Sequence, residues 1–99
     1  LVVTGEMGRT PKANSNAGRG HWSMLFPAVL AGGGIQGGIA YGRSDKDAGA
    51  VLDHPVRPED LAATIFAALG IDPQRRLTDP QGRPVPLVDD GRPLEELFA

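Results

Sequence analysis

The side chains best suited to chemistry lie in one glycine-rich stretch near the start of the chain, GEMGRTPKANSNAGRGHW at residues 5–22. A carboxylate, Glu6, stands near its beginning, and an imidazole, His21, stands near its end beside Trp22, which is expected to shield one face of the ring. The cations between them are Arg9, Lys12 and Arg19. A carboxylate with an imidazole suits a divalent metal ion, and guanidinium groups suit phosphate or sulfate esters. A salt-bridged loop without chemistry fits the same residues, so both interpretations stay open here.

The elements around this stretch favour a loop at the end of a buried strand. Residues 1–4, LVVT, form an apolar, mostly β-branched run that is typical of a buried parallel strand. Gly5 ends the run, and the glycines and asparagines that follow favour a loop, the place where α/β proteins keep many of their sites. A carboxylate directly after a buried strand, as with Glu6, costs several kcal/mol unless cations or donors satisfy it.

The clearest regular element is a helix predicted over residues 58–69. Pro58 fits the first helical position, the acidic residues after it favour the positive end of the helix, and Gly70 fits the C-terminal cap. Apolar residues recur at helical spacing and predict one stripe that faces the core. That stripe consists of Leu61, Ala62, Ile65, Phe66 and Leu69.

The rest of the chain is predicted to form short strands and turns, as expected from 14 glycines and 9 prolines. Residues 24–31 and 39–41 are predicted strands, 45–54 a polar connection, 85–88 an edge strand and 94–98 a final helical turn. Gly32, Gly34 and Gly37 match the spacing G-x-G-x-x-G, but the glycine-rich residues after them favour a turn over the helix that phosphate binding needs. His54 is favoured as a surface loop histidine, and Asp89 and Asp90 as turn formers.

Length and composition narrow the classes of function. Ninety-nine residues suffice for at most one domain, and a net charge of −2 gives no general attraction to nucleic acid. The absence of cysteine excludes disulfides and thiolate metal sites. No apolar run reaches the roughly 18 residues that a membrane span requires. Because the chain starts without methionine, directly in an apolar run, we expect it to be the C-terminal part of a longer protein.

Two segments carry a resemblance to a known family. Residues 5–11, GEMGRTP, and 18–22, GRGHW, resemble the paired signature G-E-F-G-R-T-P and G-R-D-H-W of the uncharacterised bacterial family called domain of unknown function 1501. The family is sulfatase-like and is grouped with the alkaline phosphatase superfamily. Further segments that resemble its C-terminal third are residues 30–38, 41–45, 58–65 and 82–86.

The resemblance implies an α/β fold in which residues 1–99 are the C-terminal fragment of an alkaline-phosphatase-like or sulfatase-like sandwich, with short strands and one clear helix. It implies that Glu6 and His21 are metal ligands. Met7 occupies the position of the superfamily's motif histidine, so a single ion, calcium or zinc, is expected in place of a pair. Gly20 replaces the family's usual Asp, which could orient the ligand imidazole. The superfamily's nucleophile and its first metal-binding carboxylates lie in the N-terminal half, outside this chain.

Two functions follow from the resemblance. In the first, the full-length parent hydrolyses sulfate or phosphate esters with a divalent metal ion, and Arg9, Lys12 or Arg19 stabilises charge on the transferred group. In the second, the parent is a non-catalytic relative that binds an anionic glycan or a partner protein. The expected partner is an anionic small-molecule or glycan ester, with no nucleic acid and no membrane span. Resemblance alone indicates a periplasmic or extracellular location, and the oligomeric state stays open.

Overall fold

The computed structural model describes residues 1–99 and divides into two compact units. The first comprises Leu1–Gly32 and Gly37–Pro55, and the second comprises Gly33–Gln36 and Val56–Ala99. One α-helix and one 3₁₀ turn accompany eight short strands, which pair as four two-stranded antiparallel sheets. The α/β class predicted from the sequence is therefore confirmed as a mixture of small sheets and one helix.

Three of the sheets lie in the first unit. They are β1 (Val2–Thr4) with β4 (Ala28–Leu30), β2 (Gly8–Arg9) with β3 (His21–Trp22), and β5 (Arg43–Ser44) with β6 (Val51–Asp53). The β2–β3 hairpin thus lies within the connection that joins β1 to β4. The indole Nε1 of Trp22 donates a hydrogen bond of 2.8 Å to the carbonyl oxygen of Gly49, which ties this hairpin to the loop between β5 and β6.

The first strand differs from its sequence prediction in both partner and burial. The sequence predicts a buried parallel strand over residues 1–4, but β1 pairs antiparallel with β4 and all three of its residues are exposed. Val3, for example, keeps 55% of its surface exposed. This prediction is wrong because an apolar, β-branched run favours an extended backbone without specifying which strand lies beside it or what covers it.

The middle of the chain also differs in detail. The strand predicted over residues 24–31 is reduced to β4, which begins directly after Pro27, a residue that cannot donate a ladder hydrogen bond. No strand forms at residues 39–41, and the glycines on either side, Gly38 and Gly42, have positive φ. β6 lies inside the predicted polar connection, because Val51 and Leu52 supply the apolar, extended residues for it.

The second unit contains the helix, α1 (Pro58–Ala68), one residue shorter than predicted. Its C-terminus is a complete Schellman motif: Ile71 N donates to Phe66 O at 2.9 Å and Gly70 N to Ala67 O at 3.0 Å, with Gly70 at a φ of 78°. The other elements are the hairpin of β7 (Arg76–Thr78) with β8 (Pro84–Pro86) and the 3₁₀ turn Glu95–Leu97. None of the helices has the length and the apolar composition of a membrane span.

The first half of α1 is held to the C-terminal tail by buried polar groups. Asp60 Oδ2 accepts a hydrogen bond from Arg57 N at 3.0 Å, which caps the helix, and Asp60 Oδ1 accepts one from Arg92 N, also at 3.0 Å. The hydroxyl of Thr64 donates to the backbone oxygen of Asp60 at 2.7 Å and accepts from Leu94 N at 2.9 Å. The side chains of Asp60 and Thr64 are both buried, so these hydrogen bonds replace those that water would otherwise make.

The buried face of α1 is not the stripe that the sequence predicts. Ala63 is completely buried and belongs with Val88 and Leu97 to the few buried apolar residues, whereas Leu69 keeps 69% of its surface exposed. Ile65 and Phe66 are only half-buried. The prediction that Ile65, Phe66 and Leu69 face the core is therefore wrong, because the tail approaches the face of the helix that carries small residues and the hydrogen-bonding Asp and Thr.

Three loops are closed by one device, in which Oδ1 of an Asn or Asp accepts hydrogen bonds from the backbone N–H groups two and four residues later. These acceptors are Asn14, Asp45 and Asp79. In each loop the residue three positions after the acceptor has a positive φ: 58° at Ala17, 58° at Ala48 and 79° at Gly82. Two of the three are alanines, which bear a steric cost there that glycine avoids.

Candidate functional site: the β2–β3 hairpin

The glycine-rich stretch folds as an ordered hairpin that brings two of the predicted site residues together. Arg9 on β2 and His21 on β3 are directly opposite each other in the ladder. Thr10 N donates to Gly20 O at 2.9 Å just beyond this pair, so Arg9 and His21 are a non-hydrogen-bonded pair, the kind whose side chains lie closer together. A guanidinium and an imidazole thus project from the same face of the hairpin, and both residues are exposed.

The two ends of this ladder are fixed by close backbone approach and by a threonine. A Cβ added at Gly8 would overlap the carbonyl oxygen of Leu25 and lie 2.8 Å from that of Trp22, so only glycine fits there. The hydroxyl of Thr10 accepts a hydrogen bond from Gly20 N at 3.1 Å and donates one to Lys12 O at 3.0 Å. Gly8 and Thr10 therefore hold Arg9 and His21 in their positions on the ladder.

Gly20, by contrast, has room for a side chain. A Cβ there would find only Thr10 Cγ2 within 4 Å, at an ordinary contact distance of 3.7 Å, and Gly20 is not among the residues with positive φ. The structure thus admits the Asp that the family signature has at this position.

The other three predicted site residues lie on the same segment but form no ion pair with each other. They are Glu6, Lys12 and Arg19. Glu6 is exposed in the bend between β1 and β2, and Lys12 and Arg19 are exposed on the loop between β2 and β3. The four ion pairs of the structure involve none of these three residues, nor Arg9 or His21. The hairpin therefore does not form the salt-bridged loop that is the alternative interpretation of these residues.

Two supporting arguments from the sequence do not hold. Glu6 follows an exposed strand, so its carboxylate has no burial cost that a cation must offset. Successive residues of a strand point to opposite faces, so Trp22 projects away from His21 and does not shield its imidazole. Across residues 1–99 there is no group of three or more His, Asp or Glu side chains placed to share a metal ion.

The profile of a family described as "Protein of unknown function (DUF1501)" matches residues 1–98. The chain belongs to the DUF1501 family. No curated protein and no solved structure matches it. The family membership expected from the two signature segments is therefore confirmed, but the family's description carries no activity, substrate or cofactor.

Sequence reasoning missed a second cluster of chemistry-bearing residues in this DUF1501 chain. His54, interpreted from the sequence as a loop histidine, has its Nδ1 2.8 Å from Oδ1 of Asp53 and its ring 4.9 Å from that of Tyr41. It lies directly after β6, at a φ of 47°. The adjacency of Asp and His in the sequence was the available signal, although adjacency alone does not predict that the two side chains approach each other this closely.

Proposed function

We propose that the β2–β3 hairpin supplies one side of a site that hydrolyses sulfate or phosphate esters with a divalent metal ion in a longer, sulfatase-like parent protein. The observation that carries this proposal is the cross-strand pair of Arg9 and His21, exposed on one face and free of carboxylate partners. An imidazole that can hold a cation beside a guanidinium that can hold an anion is the combination that such an ester requires. The fold proposed for the parent is the sulfatase-like sandwich.

The anion would be bound by the cations of this segment. Arg9 offers a planar guanidinium that can bind two oxygens of a sulfate or phosphate at once, and Arg19 and Lys12 add positive charge from the adjoining loop. Because no carboxylate neutralises these groups in the structure, their charge is available to a ligand. They would stabilise the negative charge that develops on the transferred group.

The metal would be held by Glu6 and His21. One carboxylate and one imidazole are donors that zinc accepts, whereas calcium prefers oxygen donors throughout. Two donors are fewer than either ion requires, so further ligands would come from the parent's other residues. When bound, the ion would polarise an ester oxygen and activate a nucleophile. The contribution of this chain is to hold the ion with Glu6 and His21 and to orient the ester with Arg9.

The second candidate is a non-catalytic relative that binds an anionic glycan or a partner protein through the same cations. Two changed positions favour it: Met7 stands at the position of the motif histidine, and Gly20 stands where the family signature has Asp. The two candidates share the role of Arg9 and differ in the role of His21.

Hydrolysis of p-nitrophenyl sulfate and p-nitrophenyl phosphate by the full-length parent tests the proposal. We expect metal-dependent turnover of at least one ester and a loss of about tenfold to a hundredfold in kcat/KM for Arg9→Ala, as for the removal of one charged hydrogen bond. Saturable binding of sulfated glycans without turnover would favour the second candidate.

A periplasmic or extracellular location is also a proposal, since it rests on the resemblance to exported sulfatase-like proteins. Fractionation of the native host, with immunodetection of the parent, tests it. Recovery in the cytoplasmic fraction would contradict it.

A further inference from the structure

The β2–β3 hairpin has one face that carries predicted site residues and one face that is attached to the rest of the first unit. Arg9 and His21 are exposed, whereas their neighbours Gly8 and Trp22, which form the other pair of the ladder, are half-buried. Successive residues of a strand point to opposite faces, so the indole of Trp22 lies on the face away from the imidazole. The position of the site residues therefore depends on what this opposite face contacts.

The opposite face contacts the loop between β5 and β6 at Gly49, which belongs to the same unit. Nε1 of Trp22 donates a hydrogen bond of 2.8 Å to the carbonyl oxygen of Gly49. An indole N–H can only donate, so a half-buried tryptophan needs an acceptor of this kind. A Cβ added at Gly49 would lie 3.4 Å from Cγ of Pro11, so the proline ring also approaches this residue. Trp22 on β3 and Pro11 after β2 thus bring the hairpin against one residue.

Gly49 is itself fixed by the side chain of Asp45. Oδ1 of Asp45 accepts hydrogen bonds from Gly49 N at 2.8 Å and from Asp47 N at 3.2 Å. The backbone N–H of Asp45 donates to Ala50 O at 3.0 Å, which closes the loop on the other side of Gly49. Ala48 has a φ of 58°, a conformation that persists outside glycine where the surrounding structure imposes it. The carbonyl oxygen that accepts the indole N–H is therefore held in place by the Asp45 carboxylate.

We propose that the Asp45–Gly49 loop positions the β2–β3 hairpin, with Trp22 and Asp45 as positioning residues for its ester site. This inference rests on the proposed function for the chemistry of that site. His21 directly precedes Trp22 on β3, so a displaced indole moves the imidazole as well. A misplacement of about 1 Å at a reacting group costs about a hundredfold in rate. Neither positioning residue touches the ester or the metal to have this effect.

Hydrogen exchange of the Trp22 indole tests the attachment without any assay of activity. The full-length parent is labelled with ¹⁵N-indole tryptophan, and the NMR signal of Trp22 is assigned by its loss in Trp22→Phe. Asp45→Ala should raise the exchange rate of this N–H about tenfold, because Gly49 loses the acceptor that holds it. The matched control is Asp79→Ala, which opens a loop of the same kind in the second unit and should leave the rate unchanged.

Zinc affinity and hydrolysis of p-nitrophenyl sulfate and p-nitrophenyl phosphate by the same variants test the consequence for the site. Trp22→Phe keeps an aromatic ring without the donor, and Asp45→Ala leaves Trp22 intact. Each should weaken zinc binding severalfold and lower kcat/KM about tenfold. Asp45→Asn, which keeps Oδ1 as an acceptor, should restore the wild-type values. Asp79→Ala should retain them despite a comparable loss of stability, which separates positioning from a general structural role.

The two measurements distinguish failure of this inference from failure of the proposed function. A wild-type parent that neither binds zinc nor hydrolyses an ester would overturn the proposed function, while the exchange rates would still test the attachment. Equal exchange rates in the wild type and Asp45→Ala would overturn the inference. Unchanged zinc affinity and turnover in Asp45→Ala and Trp22→Phe variants of an active parent would overturn it as well.

Discussion

Carboxylate and guanidinium groups occur both at the start of α1 and on the β2–β3 hairpin, but they are engaged differently in the two regions. At α1, Asp60 accepts hydrogen bonds from the backbone of both Arg57 and Arg92, and the Arg57 side chain pairs with Asp60 and Asp90. On the hairpin, Glu6 and Arg9 form no ion pair. The charges near α1 therefore stabilise the fold, whereas those of the hairpin remain available for ligands.

The largest expected effect is on the packing of α1. Ala63→Asp should lower the free energy of unfolding by several kcal/mol, because Ala63 is fully buried and the new carboxylate has no partner. The matched control Leu69→Asp should change it by no more than about 0.5 kcal/mol, since Leu69 is mostly exposed. Ile65→Asp, at a half-buried position, should fall between them. Urea denaturation followed by circular dichroism measures all three, and equal effects at 63 and 69 would contradict the helix orientation.

Removing the carboxylate that joins α1 to the tail should have the next largest effect. Asp60→Ala leaves the backbone N–H groups of Arg57 and Arg92 without their acceptor and should cost about 3 kcal/mol. Glu6→Ala is the control, with an expected change within about 0.5 kcal/mol. If Glu6→Ala lowered the free energy of unfolding as much as Asp60→Ala does, the proposed difference between the two regions would be wrong.

Stability should also depend on pH through the engaged carboxylates. Burial raises the pKa of Asp60, but the hydrogen bonds from Arg57 and Arg92 outweigh it and hold the pKa below its usual value. The backbone hydrogen bond from Arg83 is the main cause of a lowered pKa at Asp79. Because these pKa values are lower in the folded state, the stabilisation is present above about pH 4 and is lost as the pH falls through the folded pKa values. Asp60→Asn should weaken this loss of stability at acid pH, measured as the free energy of unfolding against pH. An unchanged pH dependence would contradict the role assigned to Asp60.

The smallest predicted stability change is a gain in the loops. Ala17→Gly and Ala48→Gly should each raise the free energy of unfolding by roughly 0.5–1 kcal/mol, because both alanines have a φ of 58°. Gly82→Ala, in the third loop of the same kind, is the reciprocal control and should lower it by a similar amount. Differential scanning calorimetry detects these shifts, and a loss of stability on either change to glycine would refute the argument.

Local signals in the sequence predict local structure well in this chain. Pro58 and Gly70 bracket α1 to within one residue, because the first helical position and the Schellman glycine depend on neighbouring residues only. The residues Asp79-Pro80-Gln81-Gly82 are typical of a turn for the same reason, and Gly82 N donates to Asp79 O at 2.9 Å there.

Features set by distant parts of the chain are predicted poorly. The antiparallel partner of β1 and the burial of Ala63 instead of Leu69 depend on which distant segment packs against each element. The spacing of apolar residues along the sequence does not specify that segment. At the candidate site the sequence supplies the residue types, whereas the ladder pairing of Arg9 with His21 and the close approach of His54 Nδ1 to Asp53 Oδ1 emerge only in the folded chain.

In the proposed function, Glu6 and His21 hold a metal ion while the neighbouring arginines hold the anion. The decisive measurement is the metal content of the purified full-length parent, determined by mass spectrometry after dialysis. We predict that Glu6→Gln and His21→Ala each lose most of the bound ion, because each removes a ligand, while Arg19→Ala retains it, because a guanidinium does not ligate a cation. Full metal content in both Glu6→Gln and His21→Ala would contradict the claim.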